Sequence, residues 1–275
     1  MEIKYWVEDK VGHLEFNVLN GAMDLAHCEE LLLAYQQASE DKSSKIIVLW
    51  GGRDFFSNGI DLNSIHLRYN PTILAYKNLK ALNRIVKAVM STSDKLTLSA
   101  IRGSAAAGGV MLALSADLRY ARETVVLNPN YVNMGLSGSE YWSVLLPSLA
   151  GYGMTQKLAY EASPISSIKA REIGLIHEVY DSSQRVFTDQ IKAIAGYLSK
   201  VNLHARLAAK EVLNHRLLKD ADEQVKLELK KMKDCCNHPE FKEARDNFVN
   251  KKTGAQIPFE AILNANLDFL KDKTD

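Results

Sequence analysis

Residues 46–62, IIVLWGGRDFFSNGIDL, run an unbroken apolar segment into a glycine loop, and residues 96–117, LTLSAIRGSAAAGGVMLALSAD, do the same before entering an apolar helix. A short apolar run without alternation is the pattern of a strand covered on both faces. In the first loop Gly59 permits a turn that points backbone N–H groups outward. The second holds only small residues as far as Gly109, so the N–H groups at the positive end of the following helix also face outward. Two convergent N–H donors form an oxyanion hole.

Outward from these loops, strands and helices alternate. Residues 3–18 alternate polar and apolar on either side of Glu8-Asp9-Lys10 and read as a hairpin, and 25–38 turns helical. Residues 71–90 place Leu79, Leu82, Ile85, Val86 and Val89 three and four apart, predicting an amphipathic helix. Short strands are expected at 118–121, 124–128 and 176–180. After 180 the pattern is helical, with helices expected at 184–199, 203–219 and 221–250, the last carrying Val225, Leu229, Met232 and Cys236 on one face. The fold class is α/β, with a layered core over 1–185 and a helical region over 186–275.

The composition, 47% hydrophobic and 24% charged over 275 residues, excludes a disordered or fibrous chain. Thirty-four Lys and Arg balance 33 Asp and Glu, so no broad field favours nucleic acid or an anionic membrane. No apolar run approaches the ~20 residues that span a bilayer, and MEIKYWVEDK is charged where a signal peptide is apolar; the expectation is a cytoplasmic protein. The three cysteines and scattered histidines predict reduced thiols and no metal site.

The loops FSNGIDL and GSAAAGGVML, in this order, together with the tail AKEVLNHRLL and FVNKK, resemble the crotonase superfamily of enoyl-CoA hydratases and isomerases over nearly the whole chain. The resemblance implies a spiral of strand-strand-helix repeats with a C-terminal helical trimerisation region. It implies an acyl thioester of coenzyme A as ligand, with no separate cofactor, and a homotrimer or dimer of trimers. By the same resemblance the oxyanion donors are the Ile60 and Gly108 N–H groups. Asn58 would lie near the adenine, and Phe248 and Lys251 would reach the nucleotide end of coenzyme A in an adjacent subunit.

A hydratase of this family needs two glutamates, and their positions hold Met111 and Asn130, neither of which exchanges a proton at neutral pH. Attention moves to NPNYVNMGLSGSEYW, 128–142, with Tyr131 and Glu140 as candidate catalytic residues. The plainer alternatives are a half-buried aromatic and a surface carboxylate at a helix start. The stretch is most similar to the C-terminal crotonase-like domain of the HypX family of hydrogenase maturation proteins. That resemblance implies cleavage of formyl-CoA to carbon monoxide and coenzyme A, and the expectation is a standalone chain without the N-terminal formyl-transfer domains of that family. The alternatives are decarboxylation or isomerisation of another acyl-CoA through an enolate, or a non-catalytic scaffold.

Overall fold

The computed structural model describes residues 1–66, 69–129, 131–181 and 183–250. A hairpin opens it, β1 (Glu2–Glu8) and β2 (Val11–Asn17), turning at Asp9 and Lys10, both with positive φ. Helix α1 (Leu25–Glu40) follows, its N-terminus closed by a capping box in which Asp24 accepts from the His27 N–H. Strand β3 (Ile46–Trp50) leads through the first glycine loop and β4 (Phe55–Ser57) to the short α2 (Leu62–His66). Helix α3 (Pro71–Met90) begins with Asn70 as cap and proline in its first turn, and it buries all five of the apolar residues whose spacing predicted it.

Strand β5 (Leu96–Ile101), β6 (Ser104–Ala106) and α4 (Gly108–Leu114) form the second strand-loop-helix unit. They are followed by β7 (Leu118–Arg122), β8 (Val126–Asn128), a 3-10 turn at Val132–Met134, α5 (Trp142–Ala150) and α6 (Tyr152–Glu161). Strand β9 (Ile165–Ser166), α7 (Ser167–Glu172) and β10 (Glu178–Tyr180) complete the strands. Helices α8 (Gln184–Lys200), α9 (Leu203–Asn237) and α10 (Pro239–Val249) close the described chain.

The main sheet has the order β1-β2-β3-β5-β7-β10, parallel throughout except for β1 against β2. Burial of both faces explains the continuous apolar runs. Ile46, Val48, Trp50, Leu96 and Leu98 pack with Phe187 and Ile191 of α8, while Ile47 and Leu49 point the other way, into the core shared with α1 and α3. The second sheet, β4-β6-β8-β9, is built from the segments just beyond the main strands. It carries the glycine loops.

The C-terminal helices differ from expectation in one respect. Residues 203–237 form one 35-residue helix rather than ending near 219, and the break falls at His238, where Pro239 starts the next helix. Nothing at 219–221 stops a helix, since Lys, Asp and Ala all extend one; the proline does. Val225, Met232 and Cys236 are buried, and Leu229 is partly so, in the same core as α3 and α5. Helix α10 lies against α2 and the 3-10 turn of its own chain. Among the described residues no helix is long and apolar enough to cross a membrane.

Candidate active site

The two loops are locked together by backbone contacts that only glycine allows. Strands β4 and β6 pair in parallel, and a Cβ on Gly109 would stand 2.0 Å from the Ser57 carbonyl oxygen. Gly59, at φ +76°, comes so near the second loop that its Cβ would lie 3.2 Å from the Gly108 nitrogen. The first loop is anchored from below by Met23, whose N–H donates to Gly59 O at 2.8 Å and whose carbonyl accepts from Asp61 N–H at 2.9 Å. The Asn78 side chain on α3 donates to the same Met23 carbonyl at 2.9 Å. This parallel bridge leaves the Ile60 N–H on the opposite side of the strand. Neither Ile60 N–H nor Gly108 N–H has an acceptor among the described residues. Ala107, at φ 47° and ψ −127°, carries the strain that turns the chain into α4 at Gly108.

Over Gly108 stands Glu140. A Cβ on Gly108 would meet the Glu140 carboxyl carbon at 2.8 Å, its Oε2 at 3.0 Å and Leu82 at 2.7 Å. The carboxylate is fully buried, so it is not the surface group that a helix-start reading suggests. The Tyr131 hydroxyl donates to Oε2 at 3.0 Å, and Oε1 has no partner among the described residues. Burial pushes the Glu140 carboxyl up to about 8, and the nearby Glu228 carboxylate adds to this, while the hydrogen bonds from Ser139 and Tyr131 pull the other way. Burial and the Glu140 charge push the Tyr131 phenol well above its usual range. The neighbouring Cys28 thiol is also pushed up, first by burial and then by Glu140. The Tyr131 phenol is therefore a neutral donor to a buried carboxyl that holds its proton more tightly than an ordinary carboxylate.

Of the residues expected from sequence, Ile60, Gly108, Tyr131 and Glu140 fall in this one region. Met111, at the first lost glutamate position, is completely buried in α4; Asn130, at the second, lies outside the described residues. The Asn58 N–H and side-chain amide are both engaged, donating to Gly21 O at 2.6 Å and Asn20 O at 2.7 Å, so they hold the loop to the turn before α1. Phe248 projects exposed from α10, and Lys251 lies outside the described residues. Sequence reading missed Asn78, Asn83 and Glu228. The Asn83 Oδ1 accepts from Ser139 Oγ at 3.3 Å and from the Glu140 N–H at 2.5 Å. Glu228 of α9 accepts from the Tyr141 and Ser143 N–H groups at 3.0 and 2.9 Å, closing the N-terminus of α5, which has no side-chain cap of its own.

A strand-borne pair of glycine loops presenting two free N–H groups, on a spiral of parallel strands, defines the class. The enoyl-CoA hydratase/isomerase model matches residues 11–256, and the chain belongs to that family, the crotonase superfamily. Within it the chain is 34% identical to the hydrogenase maturation factor HoxX of Bradyrhizobium diazoefficiens, over 93% of this chain and 46% of that protein. The crystal structure of HypX from Aquifex aeolicus with tetrahydrofolic acid superposes with a TM-score of 0.88 at 36% identity, over 95% of this chain and 47% of that one. The chain thus spans about half the length of these relatives. A crotonyl-CoA hydratase of Syntrophomonas wolfei is 27% identical over 81% of this chain and 84% of its own.

Proposed function

We propose that this chain is a cytoplasmic acyl-CoA-cleaving enzyme that converts a short acyl-CoA, formyl-CoA, to carbon monoxide and coenzyme A, as a HypX-like step in hydrogenase maturation. The observation that carries this reading is the buried Glu140 carboxyl, with one oxygen bonded by Tyr131 and the other free, standing against Gly108. In this reading the thioester oxygen lies between the Ile60 and Gly108 N–H groups, which hold and orient the formyl thioester against Glu140. Ionised Glu140 takes the hydrogen of the formyl carbon as a proton, the C–S bond breaks, carbon monoxide departs, and the coenzyme A thiolate then recovers the proton from Glu140. No water is consumed, so the loss of both hydratase glutamates has no effect on the step. The closeness of Leu82 and Glu140 to Gly108 supports the smallest acyl group. Asn58, Phe248 and Lys251 are assigned to the nucleotide end of coenzyme A, and the assembly is proposed to be a trimer or a dimer of trimers.

Mixing the enzyme with formyl-CoA and trapping carbon monoxide by haem absorbance tests the reaction, while calorimetry with coenzyme A and acetyl-CoA tests the ligand. The expected result is binding, carbon monoxide release, and a loss of turnover of about a hundredfold or more in Glu140→Gln, with a smaller loss in Tyr131→Phe. Absence of binding at millimolar concentration rejects the functional reading. Binding without carbon monoxide, but with decarboxylation or isomerisation of a larger acyl-CoA, replaces the reaction with enolate chemistry at the same hole.

A further inference from the structure

Glu140 and Tyr141 are consecutive, neither is glycine, and both sit at φ 62°. Side chains with a Cβ avoid this left-handed conformation, and two in succession persist only where the surroundings impose it. Their two backbone N–H groups belong to no helix or strand ladder, yet both are held. The Glu140 N–H donates to Asn83 Oδ1 at 2.5 Å, and the next N–H along the chain, that of Tyr141, donates to Glu228 Oε2 at 3.0 Å. Asn83 comes from α3 and Glu228 from α9, and both are almost completely buried.

Asn83 is not where packing alone would place an amide. It sits on the apolar face of α3 beside Leu79, Leu82 and Val86, and its Nδ2 has no partner among the described residues. A leucine would fill such a position without leaving a buried donor unmet. We propose that Asn83 and Glu228 form a two-sided clamp on the backbone N–H groups of Glu140 and Tyr141, acting as positioning residues that keep Glu140 left-handed and aim its carboxyl at Gly108. Without the clamp the pair relaxes toward the right-handed region, which swings the Glu140 Cα–Cβ bond away from the oxyanion loop. The clamp also gives the C-terminal helix α9 a direct hold on the site. The proposal rests on the reading of Glu140 as the proton-transferring group.

The test uses the full chain with Asn83→Leu, Asn83→Asp and Glu228→Met, followed by amide hydrogen exchange and carboxyl NMR of Glu140. In the unsubstituted protein the Glu140 and Tyr141 amides should be protected although they lie outside regular structure. Asn83→Leu should release the Glu140 amide by about a hundredfold while the amides of α3 stay protected. The Glu140 carboxyl should then titrate closer to an ordinary carboxylate. Asn83→Asp, which keeps the acceptor oxygen, should restore the amide protection, and Glu228→Met, which removes both acceptor oxygens, should release the Tyr141 amide. On whichever acyl-CoA is consumed, Asn83→Leu should lower kcat about tenfold or more with KM little changed. Free exchange of these amides in the unsubstituted protein overturns the clamp, as does Asn83→Leu with Glu140 still protected and titrating as before. If no acyl-CoA is consumed at all, the reading of the reaction fails, and exchange and titration still decide the clamp.

Discussion

Between pH 4.5 and about 8 the folded chain keeps a proton on Glu140 that the unfolded chain gives up. The folded state binds more protons across this window, so stability is greatest below the ordinary carboxylate value and falls as pH rises toward 8, by at most about 1.4 kcal/mol per pH unit from this group. Glu228, whose carboxyl is also raised by burial, acts in the same sense. Glu140→Gln cannot ionise. Its melting temperature should therefore depend less on pH than that of the unsubstituted protein, and above pH 8 it should be the more stable of the two. Thermal unfolding from pH 5 to 9 checks this, and parallel curves for the two proteins would contradict the buried, raised carboxyl. The same group, acting as a base, should give a turnover that climbs with pH toward about 8. Sequence could nominate Glu140 and Tyr131 because they sit in one unusual motif. It could not reveal Asn83 or Glu228, which reach the motif across 57 and 87 residues of chain, and whose letters read as an amide and a charge on ordinary helices.

The elements were legible where one local rule governs them. Helix α3 begins at its proline and ends at Met90, as the three-and-four spacing requires, and β5 matches its apolar run residue for residue. The long α9 was legible only in part, because an expected stop near 220 rested on no breaker, and the actual one is Pro239. The small-residue loop at 103–109 was legible as an outward-facing N–H donor, but its sequence also encodes a packing demand. Gly109 faces backbone, at 2.0 Å from Ser57 O for an added Cβ, so no side-chain shift relieves the contact. Gly109→Ala should destabilise the chain by about 3 kcal/mol or more, because the two loops must part. Gly196, inside α8, has nothing within 4 Å of an added Cβ. Gly196→Ala should stabilise by roughly 0.5–1 kcal/mol through helix propensity alone. Denaturant melts of the two variants measure both signs, and similar effects at the two glycines would refute the contact between loops.

At the scale of the whole molecule, the amphipathic C-terminal helix divides into two unlike halves. Its second half buries Ala221, Val225, Met232 and Cys236 inside its own chain, and through Glu228 it also closes α5. That face is already used within the chain, and Leu227 is the one large aliphatic of this half left exposed among the described residues. The first half is different: Val212 and Leu213 are 77% and 78% exposed on adjacent positions. Isolated exposed aliphatics are ordinary on a monomer, so exposure alone does not define an interface. Coupled to the proposed assembly, however, it assigns the contact to this half of α9. Light scattering should then give three or six times the 30.7 kDa chain mass, and Val212→Asp with Leu213→Asp should lower it. Because association stabilises folded chains by mass action, the melting temperature of the unsubstituted protein should rise with protein concentration, while that of the double variant should not. A monomer at all concentrations would show that Val212 and Leu213 remain in water and that α9 serves only its own chain, holding the segment that carries Glu140.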